Sequence, residues 1–285
     1  MTSSVLSPRP LRALAGVCLA ALVALPSVAH AEAEEEVSTP EVNMVVLREN
    51  ATGSASAAQR YIDDLVDAIA KAAGWSSAKG KYFTRRSSAQ TFIRDTKPSF
   101  GILSLSAYLA MKDSHDLVAL GKADIQNGGG HQFFVISKNQ LSLDGCKSKS
   151  LGTNHEDAKF IDNIVSKDAF DLSDFEVEDT RRPVKTLKSV IAGDVECALI
   201  DDAQLMELQH LEGGLEVHPV WSSETLPPMV VTAFPTAADD ERKAFSGLLD
   251  TVCGAEGKAA CESTSMKLEA TTPTAFAAYE KAYAG

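Results

Sequence analysis

The sequence predicts an α/β protein of two lobes, each an open, mainly parallel sheet flanked by helices. Three observations predict it. A short apolar run turns directly into a helix start over Phe100–Met111 (FGILSLSAYLAM). A unit of the same make recurs at Cys197–Leu208 (CALIDDAQLMEL). Between them, the run Asn127-Gly128-Gly129-Gly130 separates two sets of alternating strand and helix patterns. A buried strand that turns at once into a helix gathers backbone N–H groups and short hydroxyls at one spot, which suits a ligand oxygen.

The chain begins with Arg9 and Arg12, an apolar run Ala13–Leu25, Pro26, and Ala29-His30-Ala31. This is the pattern of a cleavable export leader over residues 1–31, too short for a comfortable membrane span. Cys18 follows Val17, which is too large for a lipoprotein signal. Removal of the leader leaves about 250 residues, enough for one large or two small domains. The formal charge is −12 over the whole chain, and the leader carries no acid. Such a chain is a poor binder of nucleic acid or anionic membrane. Of the five cysteines, Cys146, Cys197, Cys253 and Cys261 follow the leader. An even number in an exported chain favours disulfides. Cys253 and Cys261 flank a Gly-containing loop and are the expected partners, which leaves Cys146 with Cys197; three connectivities are formally open. Zinc is disfavoured, because no CxxC spacing or nearby histidine pair exists.

Residues 32–42 read as an acidic, solvated tail. Lobe one spans 43–126. It opens with a strand, Asn43–Leu47, a polar loop from Arg48, and a helix, Ala57–Ala73, that aligns Tyr61, Ile62, Leu65, Val66 and Ile69 on one face. Gly74 stops the helix. A strand at Lys81–Thr84, a helix from Ser87 through Arg94, the strand–helix unit at Phe100 and a strand at Leu117–Leu120 complete the lobe. Lobe two, with the crossing segments, spans 127–234. Its strands are His131–Ser137, Lys149–Gly152, Phe175–Thr180, Cys197–Ile200, Leu215–Trp221 and Met229–Phe234. Its helices are Glu156–Val165, Lys185–Ala192 and the one that follows Asp201-Asp202. Residues 235–285 supply two closing helices, Asp239–Val252 and Thr274–Tyr283, expected to pack back on lobe one.

Four stretches carry a resemblance: FGILSLSAYLA, GGGHQFFVISKN, LDGCKSKSLGTNHEDA and KSVIAGDVECALIDDAQL. Over most of 43–285 the order of features resembles a type 2 periplasmic solute-binding protein, of the phosphate/phosphonate type that serves ABC importers. The resemblance implies a periplasmic monomer that captures a small ligand in an interlobe cleft, pairs with an ABC permease, and uses no cofactor or metal. It maps the family's anion loop onto Gly152–Asp157 and its lining acid onto Asp201 or Asp202. Glu156 and Asp157 depart from the family loop and compete with an anion, so a zwitterion stands beside a phosphate- or phosphonate-like oxyanion as the expected ligand.

The candidate ligand-binding residues are Arg48, Arg85, Ser104, Ser106, Tyr108, His131, Thr153, Asn154, His155, Arg181, Asp201 and Asp202. The arginines lie near strand ends or in a loop before a helix, where open α/β sheets bind ligands; Arg86 is an alternative to Arg85. Each candidate has a plainer role: Ser104, Ser106, Asp201 and Asp202 as helix caps, Tyr108 as core, His131 as a strand end, and the arginines as solvated charges. Two rival classes are a binding module that feeds a sensor, and a secreted hydrolase. The hydrolase lacks a G-x-S-x-G elbow and a His-Glu-x-x-His helix, and the adjacent Asp201 and Asp202 splay apart, so no catalytic residue is expected.

Overall fold

The computed structural model describes residues 41–254 and 257–285. The leader and nearly all of the acidic tail lie outside the described residues. The two-lobed α/β class is observed. The strands are β1 (Val42–Leu47), β2 (Ala78–Phe83), β3 (Phe100–Leu103), β4 (Val118–Ile125), β5 (Phe133–Ser137), β6 (Ser150–Thr153), β7 (Glu176–Asp179), β8 (Cys197–Asp201), β9 (His218–Ser222), β10 (Met229–Ala233) and β11 (Met266–Ala270). The helices are α1 (Ala55–Ala73), α2 (Arg86–Thr96), α3 (Leu105–Met111), α4 (Leu143–Cys146), α5 (Ala158–Phe160), α6 (Pro183–Ala192), α7 (Asp202–Leu208), α8 (Asp239–Leu248), α9 (Lys258–Thr264) and α10 (Ala277–Ala284).

The first sheet has the order β11-β4-β10-β3-β1-β2, and the second β7-β6-β8-β5-β9. Both are mixed. β1 pairs in parallel with β2 and β3, and β6 with β7 and β8. The strands next to the crossings run antiparallel: β10 inserts between β3 and β4, and β5 between β8 and β9. A chain that leaves one sheet and later returns to it reverses direction, which sets these pairings. β10 therefore belongs to the first sheet, although the sequence reading ends lobe two at 234. The lobes are joined by two crossings, 126–132 outward and 223–228 back. They bond to each other: Leu226 N–H donates to the His131 carbonyl (2.7 Å).

The core follows from the periodicities. Ile62, Leu65, Val66 and Ile69 of α1 are all buried against the first sheet. Each such side chain contributes about 1.5–3 kcal/mol of transfer free energy. Gly74 ends α1 in the left-handed region (φ 70°), its N–H meeting the last carbonyls. Trp75 then stacks on Phe100, centroids 5.3 Å apart. In the second lobe Ile136, Leu187, Val190, Ala198 and Ile200 form one buried cluster. The disulfides are Cys146–Cys197, which ties α4 to the first residue of β8, and Cys253–Cys261, which ties the turn after α8 to α9.

Other expectations are corrected. The helix expected at Glu156 starts at Ala158, capped by Asp157, whose Oδ1 accepts from Phe160 N–H (3.0 Å). It continues as π-helix over Ile161–Ser166. The sequence reading missed α9 and β11; β11 is an edge strand with Met266 and Leu268 inward and Lys267 outward. The last helix does not pack on lobe one alone. α10 touches α3 in lobe one and the π-helical turn in lobe two. Among the described residues, no helix is long and apolar enough to cross a membrane.

Candidate functional site

The carboxyl ends of the parallel strands converge between the lobes, where open α/β sheets bind ligands. Arg48, Glu49 and Asn50 leave β1; Thr84 and Arg85 lead from β2 into α2; Ser104 and Ser106 follow β3. From the other lobe come His155, Glu156 and Asp157 after β6, and Asp201 at the end of β8. The crossings close the sides with Gly129, Gly130, His131, Pro227 and Pro228. These residues enclose a cavity of about 240 Å³. That is just below the range of about 300–1,000 Å³ typical of drug-sized ligands, so it fits a small metabolite.

One ion network spans the cleft. Arg86 grips the Glu49 carboxylate with two parallel bonds, Nε to Oε1 (2.7 Å) and Nη2 to Oε2 (2.9 Å). Its Nη1 reaches across to Asp157 Oδ2 (2.8 Å) in the other lobe. Burial works against the guanidinium charge, but the two carboxylates outweigh it and raise the Arg86 pKa above its ordinary value. Ser106 Oγ donates to Glu49 Oε2 (2.6 Å). Tyr283 of α10 donates to Asp157 (3.1 Å to Oδ2), and burial together with that carboxylate pushes its phenol up to about 12. A second cross-lobe bond joins Asn50 Nδ2 to His155 Nδ1 (3.0 Å). The amide donates there, which places the imidazole proton on Nε2. That Nε2 is shut from solvent and makes no hydrogen bond of good geometry among the described residues. Burial holds the ring neutral, its pKa depressed to about 4, with Gln204 pulling weakly the other way.

Asp201 is buried at the foot of the cavity. It caps α7, accepting from Gln204 N–H (2.9 Å), while the Gln204 side chain answers to the Asp201 N–H. It also accepts from Gly130 N–H of the outward crossing. Burial pushes its carboxyl up to about 7, against the pull of these donors and of Arg48. The crossing needs its glycine at 129: φ is +80°, and a Cβ there would stand 2.6 Å from Asp201 Oδ2.

Of the candidates named from sequence, Arg48, Arg85, Ser104, Ser106, His131, His155 and Asp201 line the cavity. The other five do not. Tyr108 is fully buried, stands against Phe276, and donates to Glu280 Oε1 (2.6 Å). Thr153 is buried, its hydroxyl bonded to the Leu199 carbonyl (3.3 Å) and to His155 N–H (3.1 Å). Asn154 is buried between Thr186 and Gln204, which both donate to its Oδ1. Arg181 sits in an exposed turn against Asp179. Asp202 turns to the crossing and accepts from the N–H groups of His131 (3.0 Å) and Gln132 (3.2 Å). Sequence reasoning missed Glu49, Asn50 and Thr84 and left Arg86 as an alternate; Glu49 and Asn50 directly follow a parallel strand, the one signal that marked them. Arg48 donates to the Gly128 carbonyl. The Arg85 guanidinium makes no ion pair or hydrogen bond among the described residues.

No family model matches the chain, and no curated protein matches it. Solved structures do. A binding-protein component of an ABC phosphonate transporter from Pseudomonas aeruginosa is 14% identical, covers 81% of this chain and 82% of its own, and has a TM-score of 0.59. A Xanthomonas citri protein bound to ATP is 9% identical over 86% and 96%, with a TM-score of 0.68. A Prochlorococcus marinus protein in complex with methylphosphonate is 9% identical over 85% and 96%, with a TM-score of 0.64. The chain thus has the two-lobed fold of periplasmic binding proteins. At these identities the likeness shows the fold.

Proposed function

We propose that the chain is an exported solute-binding protein that captures a small polar ligand between its lobes and delivers it to the permease of an ABC importer. The observation that carries this reading is the cavity itself. It is walled by strand ends from both lobes and flanked by both crossings, so lobe opening would admit a ligand and closure would surround it. The structural neighbours that bind solutes for importers support the same role. The proposed location is the periplasm, after loss of residues 1–31, and the proposed working form is a single copy.

The proposed ligand is a zwitterion or neutral polar metabolite ahead of a phosphonate. Glu49, Glu156 and Asp157, with Asp201 pushed up to about 7 by burial, face Arg48, Arg85 and Arg86, and His155 is held neutral, so the cavity carries no excess of positive charge. Binding is favoured over hydrolysis because Ser104 Oγ meets Ser106 Oγ (3.3 Å) while His155 Nδ1 is committed to Asn50. A thermal-shift panel of amino acids, nucleosides, phosphate, phosphonates and sulfonates on the mature protein tests the role. A saturable ligand that also lowers the radius of gyration in solution scattering supports it. A tight ligand that leaves the radius unchanged refutes capture by closure.

A further inference from the structure

The donors best suited to an oxyanion in this cleft are already taken by the protein's own carboxylate. Arg86 presents its planar fork to Glu49, and Ser106 adds a third bond at 2.6 Å. A fork plus a hydroxyl is the arrangement that would receive two oxygens of a phosphonate or sulfonate. The Glu49 side chain is only 12% exposed, so its carboxylate is seated among these donors instead of lying in open solvent. The remaining arm of Arg86 is held by Asp157, whose side chain is 13% exposed.

Resting on the solute-binding reading, we infer that Glu49 is the specificity-determining residue of the cleft: its carboxylate occupies the oxyanion position and bars phosphate-, phosphonate- and sulfonate-like ligands. A free anion that is to take the Arg86 fork has to displace a carboxylate tethered to the same chain, whose local concentration is of millimolar order or higher. It also has to enter beside Glu156 and Asp157. A zwitterion can set its own ammonium against Glu156 and Asp157, and a neutral ligand brings no charge for them to repel, so either can use Ser104, Arg85 and the crossing while Glu49 keeps Arg86.

The test is isothermal calorimetry with methylphosphonate, inorganic phosphate and sulfate on the wild type, Glu49→Gln and Glu49→Ala, each checked for folding by circular dichroism. Wild type should bind none of the three more tightly than about 1 mM. At least one variant should gain about ten- to a hundredfold in affinity for methylphosphonate, the worth of charge-assisted hydrogen bonds set free. Ser106→Ala introduced into that variant should remove most of the gain. Micromolar binding of methylphosphonate by the wild type overturns the inference, and this measurement needs no variant to fold. So does the absence of any gain in both variants when both fold. The same proteins are titrated with the amino-acid and nucleoside panel. If the wild type binds a panel compound and the variants gain no anion, the inference fails and the solute-binding reading stands. If the wild type binds nothing and the variants gain nothing, both fail.

Discussion

Asp201→Asn and His155→Asn, made separately, should tilt the pH dependence of stability in opposite directions. The folded state raises Asp201 from 3.8 to about 7, mainly by burial, so it keeps a proton that the unfolded chain releases. Stability from this group is present at low pH and is lost as pH rises from 3.8 to about 7. The folded state depresses His155 from 6.5 to about 4, again by burial, so the unfolded chain takes a proton that the native ring refuses. Stability from this group is present above 6.5 and is lost as pH falls toward 4. Displacements of this size correspond to about 4 kcal/mol for Asp201 and about 3 kcal/mol for His155 at full effect. They oppose each other over nearly the same window, so the wild type should be nearly flat there with respect to this pair. Asparagine at 201 retains an N-cap oxygen and removes one slope. Asparagine at 155 retains an acceptor for Asn50 and removes the other. Melting temperatures at half-unit steps from pH 4 to 7.5 provide the assay. Asp201→Asn should lose about 6–12 °C relative to the wild-type profile on going from pH 6.5 to 4. His155→Asn should instead gain on the wild-type profile as pH falls. Profiles of both variants that run parallel to the wild type would refute the assigned burial of these two groups.

Breaking Cys146–Cys197 with paired serines should cost about 4 kcal/mol, because it closes a long loop, and breaking Cys253–Cys261 less, about 2–3 kcal/mol; urea midpoints would rank them, and the reverse order would count against the loop account. Arg86→Ala strands Glu49 and Asp157 together across the cleft. It should cost up to about 3–5 kcal/mol, and scattering of the unliganded variant should report a more open particle; equal stability and radius would show that the pairs hold nothing closed. Gly129→Ala should destabilise by about 1–3 kcal/mol through its left-handed φ and its contact with Asp201, and a neutral result in chemical denaturation would contradict the geometry of the crossing.

The two strand-to-helix units were legible in the sequence because each pairs a short apolar run with cap residues, and both deliver side chains to the cavity. Sheet membership of β10 was not legible. MVVTA is an apolar run like its neighbours, and nothing local says that it pairs with β3 and β4 across a crossing. The disulfides followed from the expected export, the even count and the spacing, and both pairs are observed. The lining of the candidate cavity was half legible. Ser106 and Tyr108 lie two residues apart on α3, a rotation of about 200°, so if one faces the cleft the other faces the core. Thr153 and Asn154 carry polar groups that suit a ligand, but the second lobe turns both inward: the Thr153 hydroxyl donates to the Leu199 carbonyl, and Asn154 Oδ1 accepts from Thr186 and Gln204. Glu49 was invisible because an acid beside an expected anion site reads as a solvated charge until Arg86 and Ser106 are seen to hold it.

The most direct test of the cleft as a binding site is calorimetric affinity for the strongest ligand of the panel, measured in the wild type, Arg85→Ala, Ser104→Ala and Arg181→Ala. One or both cleft variants should weaken binding about ten- to a hundredfold, and Arg181→Ala, in its exposed turn against Asp179, should bind as the wild type does. Unchanged affinity in both folded cleft variants, or a loss confined to Arg181→Ala, would contradict it.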